Sequence, residues 1–226
     1  MNSIKKNLQS AIDEVVSSKI NEAYVSEPKK FNLKTDFISE KIKKYRQEDF
    51  ENYVKALNKV SAKLDGADRE NANDKHSDFR SLKLDEVHNM NAAFLRALHF
   101  ENISDLSSKI TMDMFCFLRL ERDFGSFDNW QKDFIACCLS SRDGYAMTGY
   151  SVFLKRYVNF VIDTEALNVP MGVIPVVVLD VAEGSYVKDY MGDRRSYVLA
   201  MMKEFNWSHI EERFERAEAV SKVFAK

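Results

Sequence analysis

The run Val176-Val177-Val178-Leu179-Asp180 is the most constraining stretch of this 226-residue chain. Successive β-branched and leucine side chains leave no polar face for water, so the segment is predicted as a strand buried on both sides. It ends in a carboxylate, and the following Val181-Ala182-Glu183-Gly184 predicts a turn that carries Asp180 to a site with Glu183 three places on. Such a strand needs covering layers on both faces. A chain of this length with 45% hydrophobic residues can supply them.

Charge and composition exclude several classes of function. A formal net charge of -2 offers no cationic surplus for broad contact with nucleic-acid phosphates. Cys116, Cys137 and Cys138 are too few and too unevenly placed for a disulfide framework, and point to a reducing compartment. The adjacent Cys137 and Cys138 are expected to pack, since neighbours on a helix diverge by about 100°. No apolar run reaches the roughly 18 residues of a membrane span. Residues 1–45 hold no arginine and several acids, unlike a mitochondrial transit peptide. Phosphate-binding glycine loops, Ser/His/Asp arrangements and paired zinc spacings are absent from the sequence. His76, His88 and His209 are expected at the surface.

In chain order, Ile4, Leu8, Ala11, Ile12, Val15, Val16 and Ile20 recur at helical spacing and predict an amphipathic extension over residues 1–30. It either packs on its own domain or docks on another subunit. Residues 31–112 are predicted as an antiparallel helical hairpin. The first helix carries Ile38, Ile42, Tyr45, Phe50, Tyr53, Leu57, Val60 and Leu64. A polar connector over Asp65–Asp78 follows, and then a helix from about Asp85 with Val87, Met90, Phe94, Leu95 and Leu98 on one face. Residues 113–226 read as an α/β domain. Ser126 is the expected cap of a helix running to about Leu139, and strands are expected near Tyr150–Lys155, Tyr157–Thr164 and Pro175–Val181, forming a three-stranded antiparallel sheet. The fold class is therefore α+β.

Three blocks together resemble the iron/manganese superoxide dismutases over about Phe31 to Ala217. They are Asp123-Phe-Gly-Ser-Phe127, the Asp180–Tyr186 segment, and Asp193-Arg-Arg-Ser-Tyr197 with Phe205-Asn-Trp207. In that family the last strand ends Asp-x-Trp-Glu-His-x-Tyr, and its Asp and His hold the metal with one His from each hairpin helix. Here Asp180, Glu183 and Tyr186 match, but Ala182 stands for the Trp and Gly184 for the ligand His. Counting back from the Tyr53-Val54 pair puts Tyr45 or Arg46 at the first helical ligand. The Asn91-Ala92-Ala93 pattern puts Leu98 at the second, with His99 next to it and off the apolar stripe. Glycine and leucine offer no donor, and a guanidinium has no lone pair. The solvent-binding glutamine is also missing, whether sought at Phe94 or in Arg142–Met147. Tyr53, the family's gateway tyrosine, is expected in the core.

The resemblance thus implies a degenerate site with no metal, no cofactor and no catalytic residue, in which Arg46 or the Tyr45 hydroxyl satisfies Asp180. Glu183 is either a solvated turn residue or the remnant of the family's dimer bridge. The chain is accordingly expected not to be an enzyme. It is expected to be a structural subunit of a large mitochondrial assembly, in first place the small subunit of the mitochondrial ribosome, as for that subunit's dismutase-like proteins. Its expected partners are other protein subunits, a dismutase-like paralogue in a pseudo-dimer, and limited rRNA. The alternatives are an accessory subunit of a respiratory complex or ATP synthase, and a divergent active dismutase using His99, Asp180 and further donors.

Overall fold

The computed structural model describes residues 26–224. The expected extension falls almost wholly outside them, and of it only residues 26–30 are seen, as irregular chain. Two long antiparallel helices come first: α1 (Glu40–Asp65) and α2 (Asp78–Asn102). Ser39 caps α1 by accepting the Ile42 N–H, and Ser77 caps α2 by accepting the Arg80 N–H. The second cap starts α2 seven residues before the expected Asp85. Its first two turns carry Phe79, Leu82 and Leu84, apolar residues that lie ahead of the stripe read from Val87 onward.

α3 (Phe115–Phe124) and α4 (Phe127–Ser140) are separated by Gly125, whose φ of 82° is the left-handed conformation that ends a helix most cheaply in glycine. Ser126 then caps α4 as expected. α3 has no cap of its own. Glu211, from the last helix, accepts the N–H groups of Phe115 and Cys116 at 2.7 Å each.

The sheet holds β1 (Tyr145–Ser151), β2 (Arg156–Ile162) and β3 (Val173–Asp180) in the order β2-β1-β3, all antiparallel. β1 lies five residues ahead of its expected start, because residues 152–155 form the turn into β2. A register irregularity at Thr148/Gly149 sits where a side chain at Gly149 would run into Val173 on β3. α5 (Glu183–Tyr190), α6 (Arg194–Lys203) and α7 (Trp207–Phe224) complete the chain. α2 and α7 pack against β3, which supplies the covering layers its composition demands. The observed architecture is a helical hairpin plus an α/β domain with a three-stranded antiparallel sheet.

The main core gathers Trp130, Phe134, Phe205 and Trp207, with the two indoles edge to face at 5.6 Å. Trp130 Nε1 donates to Thr148 Oγ1 at 2.9 Å, and that hydroxyl donates to Asn159 Oδ1. Thr148→Val strands a buried donor and a buried acceptor. It is expected to cost about 2 kcal/mol in denaturant unfolding.

One expectation for α2 needs correction. Leu95 and Leu98 pack with Tyr145, Met147, Ile162 and Val178, but Val87, Met90 and Phe94 do not share that burial and stand exposed. The sheet reaches only the C-terminal half of the helix, so one continuous apolar pattern divides into a covered and an uncovered part. Of the histidines, His76 and His209 are exposed as expected. His88 is half-buried, edge-on to the Tyr53 ring at 5.7 Å. Cys116 and Cys138 are buried and Cys137 half-buried, with free thiols that burial pushes up.

Candidate metal centre

β3 delivers Asp180 to the junction of the hairpin and the sheet, at 1% exposure. Its main chain is pinned on both sides: the N–H donates to His99 Nδ1 at 3.4 Å, and the C=O accepts the Tyr197 hydroxyl at 2.8 Å. Its Oδ1 accepts the Ala182 N–H at 3.0 Å. Its Oδ2 accepts Arg46 Nη2 from α1, in an ion pair buried on both sides. Arg46, 6% exposed, therefore points inward, as one of the two readings from the sequence required. The Tyr45 hydroxyl does not satisfy Asp180. Tyr45 is about half exposed, with Lys188 over its ring.

The pair is one link of a longer chain of charge. Arg46 Nη1 also reaches Asp49 at 3.3 Å, Asp49 meets Arg96 at 2.8 Å, and Arg96 meets Glu165 at 2.9 Å. Glu165 accepts the buried Tyr145 hydroxyl at 3.4 Å, and Arg96 lies 4.4 Å over the Tyr53 ring. Acids and arginines alternate, so each buried charge has an opposite neighbour. Burial alone would push the Asp180 carboxyl up; the charges of Arg46 and Arg96 hold it below its ordinary value. Burial dominates at His99 and pushes its imidazole down to about 4, so it is neutral at pH 7.

Gly184 explains how the arginine fits. A Cβ at that position would lie 3.3 Å from Arg46 Nη1 and 3.4 Å from Tyr45 Cε1. The guanidinium thus borders the space that any side chain at 184 would need. Gly184→Leu is expected to lose about 1–3 kcal/mol by overpacking. The same change should cost less in an Arg46→Ala background, and a double-mutant cycle by denaturant unfolding reads that coupling.

Of the positions singled out in the sequence, the structure brings Tyr45, Arg46, Asp180 and Gly184 together. Leu98 is not among them, being buried under the sheet with Leu95 and Tyr145. The residue beside Asp180 is His99, 3% exposed rather than on an open flank, because the C-terminal half of α2 is enclosed by α1, β3 and α7. Glu183 is exposed at the start of α5, its N–H donating to Asp143. Tyr186 is buried, stacked on Tyr197, and its hydroxyl accepts from Arg194. Tyr53 is only half-buried. Sequence reasoning missed Asp49, Arg96, Glu165 and Tyr145. Only Asp49 carried a local signal, three residues after Arg46 on the same helix.

This donor set does not fit iron or manganese. Among the described residues, no three His, Cys, Asp or Glu side chains converge as a metal site requires. The cation facing Asp180 is a guanidinium with no lone pair to offer a metal.

The fold and site define a hairpin-plus-α/β protein whose central carboxylate is held by helix α1. The family model for the C-terminal domain of iron/manganese superoxide dismutases matches residues 116–213. The superoxide dismutase [Fe] of Aquifex aeolicus is 30% identical over 182 residues, covering 79% of this chain and 84% of that protein. That of Cupriavidus metallidurans is 32% identical over 166 residues (73% and 81%), and superoxide dismutase [Mn] 1 of Halobacterium salinarum 33% over 137 residues (59% and 66%). The chain belongs to the iron/manganese superoxide dismutase family.

These relatives overturn the expectation that the chain is not an enzyme. They carry the names of enzymes, superoxide dismutases of iron or manganese.

Proposed function

We propose that this family member serves as a structural subunit of a large mitochondrial assembly, the small subunit of the mitochondrial ribosome, among protein neighbours that include a dismutase-like paralogue, with limited rRNA contact. The observation that supports this is the Arg46–Asp180 pair. It joins the hairpin to the sheet through a protein cation, so the scaffold's surfaces are held in place by the chain's own residues. The near-neutral net charge suits protein neighbours better than extended phosphate contact. The test is gradient sedimentation of the tagged protein from mitochondria. Co-migration with the small ribosomal subunit is expected. Migration alone, or with inner-membrane complexes, would sink the proposal.

A second reading, superoxide dismutation, is favoured by the names of the relatives. Stoichiometric iron or manganese together with dismutase activity in the purified chain would establish it.

A further inference from the structure

Two neighbouring turns hold large apolar side chains out in solvent. Phe153 is 91% and Leu154 55% exposed in the turn from β1 to β2, and Met171, just ahead of β3, is 99% exposed. Single exposed apolar residues are ordinary, but a cluster at nearly full exposure marks a surface that meets something else.

The turns share one end of the sheet. Ser151 lies opposite Arg156 on one side and Val173 on the other, and the Val152 N–H donates to the Gly172 C=O at 3.0 Å. The tip is firmly built. Ser151 Oγ accepts the Leu154 N–H at 3.2 Å, the Ser151 C=O accepts the Lys155 N–H at 2.8 Å, and Lys155 closes the turn at a left-handed φ of 54°. Asp180 stands at the opposite end of β3, about 23 Å of strand away.

Charge around the tip has one sign. Residues 151–156 and 169–174 contain Lys155 and Arg156, both exposed, and no acid. Asp123, the carboxylate that borders the turn, is 8% exposed, pairs with Arg122 at 2.6 Å and accepts the Tyr157 N–H. A convex tip of three apolar side chains falls well short of the roughly 800 Å² per partner of a standard protein interface. It suits a lipid surface, where apolar side chains enter between headgroups while lysine and arginine stay at the level of the phosphates.

We propose that this end of the sheet is a membrane-contact site for an anionic bilayer surface, with Phe153, Leu154 and Met171 inserted and Lys155 and Arg156 against the headgroups.

The test is co-sedimentation of the full chain with vesicles of phosphatidylcholine containing about 30% phosphatidylserine, against phosphatidylcholine alone. The unaltered chain is expected to bind the anionic vesicles. Phe153→Ser/Met171→Ser, at positions that touch little of the fold, should bind them at least about tenfold more weakly with its denaturant midpoint unchanged. Lys155→Glu should weaken binding to anionic vesicles about fivefold and leave neutral vesicles unaffected. Trp130 and Trp207 are buried, so Phe153→Trp adds an exposed indole whose emission should shift to the blue on anionic vesicles. No binding by the unaltered chain, or binding undiminished in the double variant, would overturn the proposal. Equal binding to both vesicle types would overturn the anionic assignment. Self-association without lipid that the double variant abolishes would also overturn the proposal, assigning the tip to a second copy.

Discussion

Arg46→Met is expected to destabilise the protein by about 3–5 kcal/mol, because it leaves the Asp180 carboxylate buried without its cation. Methionine keeps most of the side chain's packing, so the loss isolates the charge. Asp49 keeps Arg96 and is partly exposed, and adds little to the penalty. The diagnostic measurement is the double variant. Arg46→Met/Asp180→Asn keeps an acceptor for the Ala182 N–H while removing the charge, and should recover most of the lost stability in guanidinium unfolding. A single-variant cost below about 1 kcal/mol would mean that the pair does not hold the hairpin to the sheet.

Acid is expected to act on this centre in two stages. His99 is buried neutral, with its imidazole pushed down to about 4. An unfolded chain takes a proton on that group near its ordinary value of about 6.5, while the folded chain resists until near pH 4. As pH falls through that window the unfolded state binds more protons. Stability should therefore drop by up to about 1.4 kcal/mol per pH unit, on the order of 3 kcal/mol in all, and then level off for this group. Asp180 has the opposite usual origin and the same sign. Its folded value lies below the ordinary carboxylate range, so its contribution is intact above about pH 4 and is lost as pH falls through the folded value. Urea unfolding between pH 7.5 and pH 4 reads the first stage. His99→Gln should flatten it, and an unchanged slope would rule His99 out as its source.

Much of the architecture was legible along the chain. Ser39, Gly125 and Ser126 fix helix ends through local hydrogen bonds and one left-handed residue, so their effect needs no distant partner. The apolar run ending at Asp180 likewise predicted β3. The start of β1 was misplaced because alternation does not tell a strand from the turn that leaves it. α2 showed the same limit: its stripe is one pattern, yet only the half beneath the sheet is buried.

The site was legible where a residue type forbids a function and illegible where placement decides it. Glycine at 184 and an arginine candidate at 46 needed no coordinates to be excluded as metal ligands. The choice between Leu98 and His99 turned on about 100° of helix rotation, and counting positions resolves that poorly. Arg96, Glu165 and Tyr145 join the centre from a second helix, a loop and a strand, distant in sequence and without mutual spacing.

By itself, then, the sequence determined the order of elements, the buried strand with its terminal carboxylate and the side chains at 46 and 184 that offer no metal donor, because these follow from local chemistry and side-chain type. Only the tertiary structure decided which cation answers Asp180, how Gly184 makes room for it, and that His99 faces the centre. Those depend on how helices rotate and dock against the sheet, and packing energy summed over the whole fold sets that rotation.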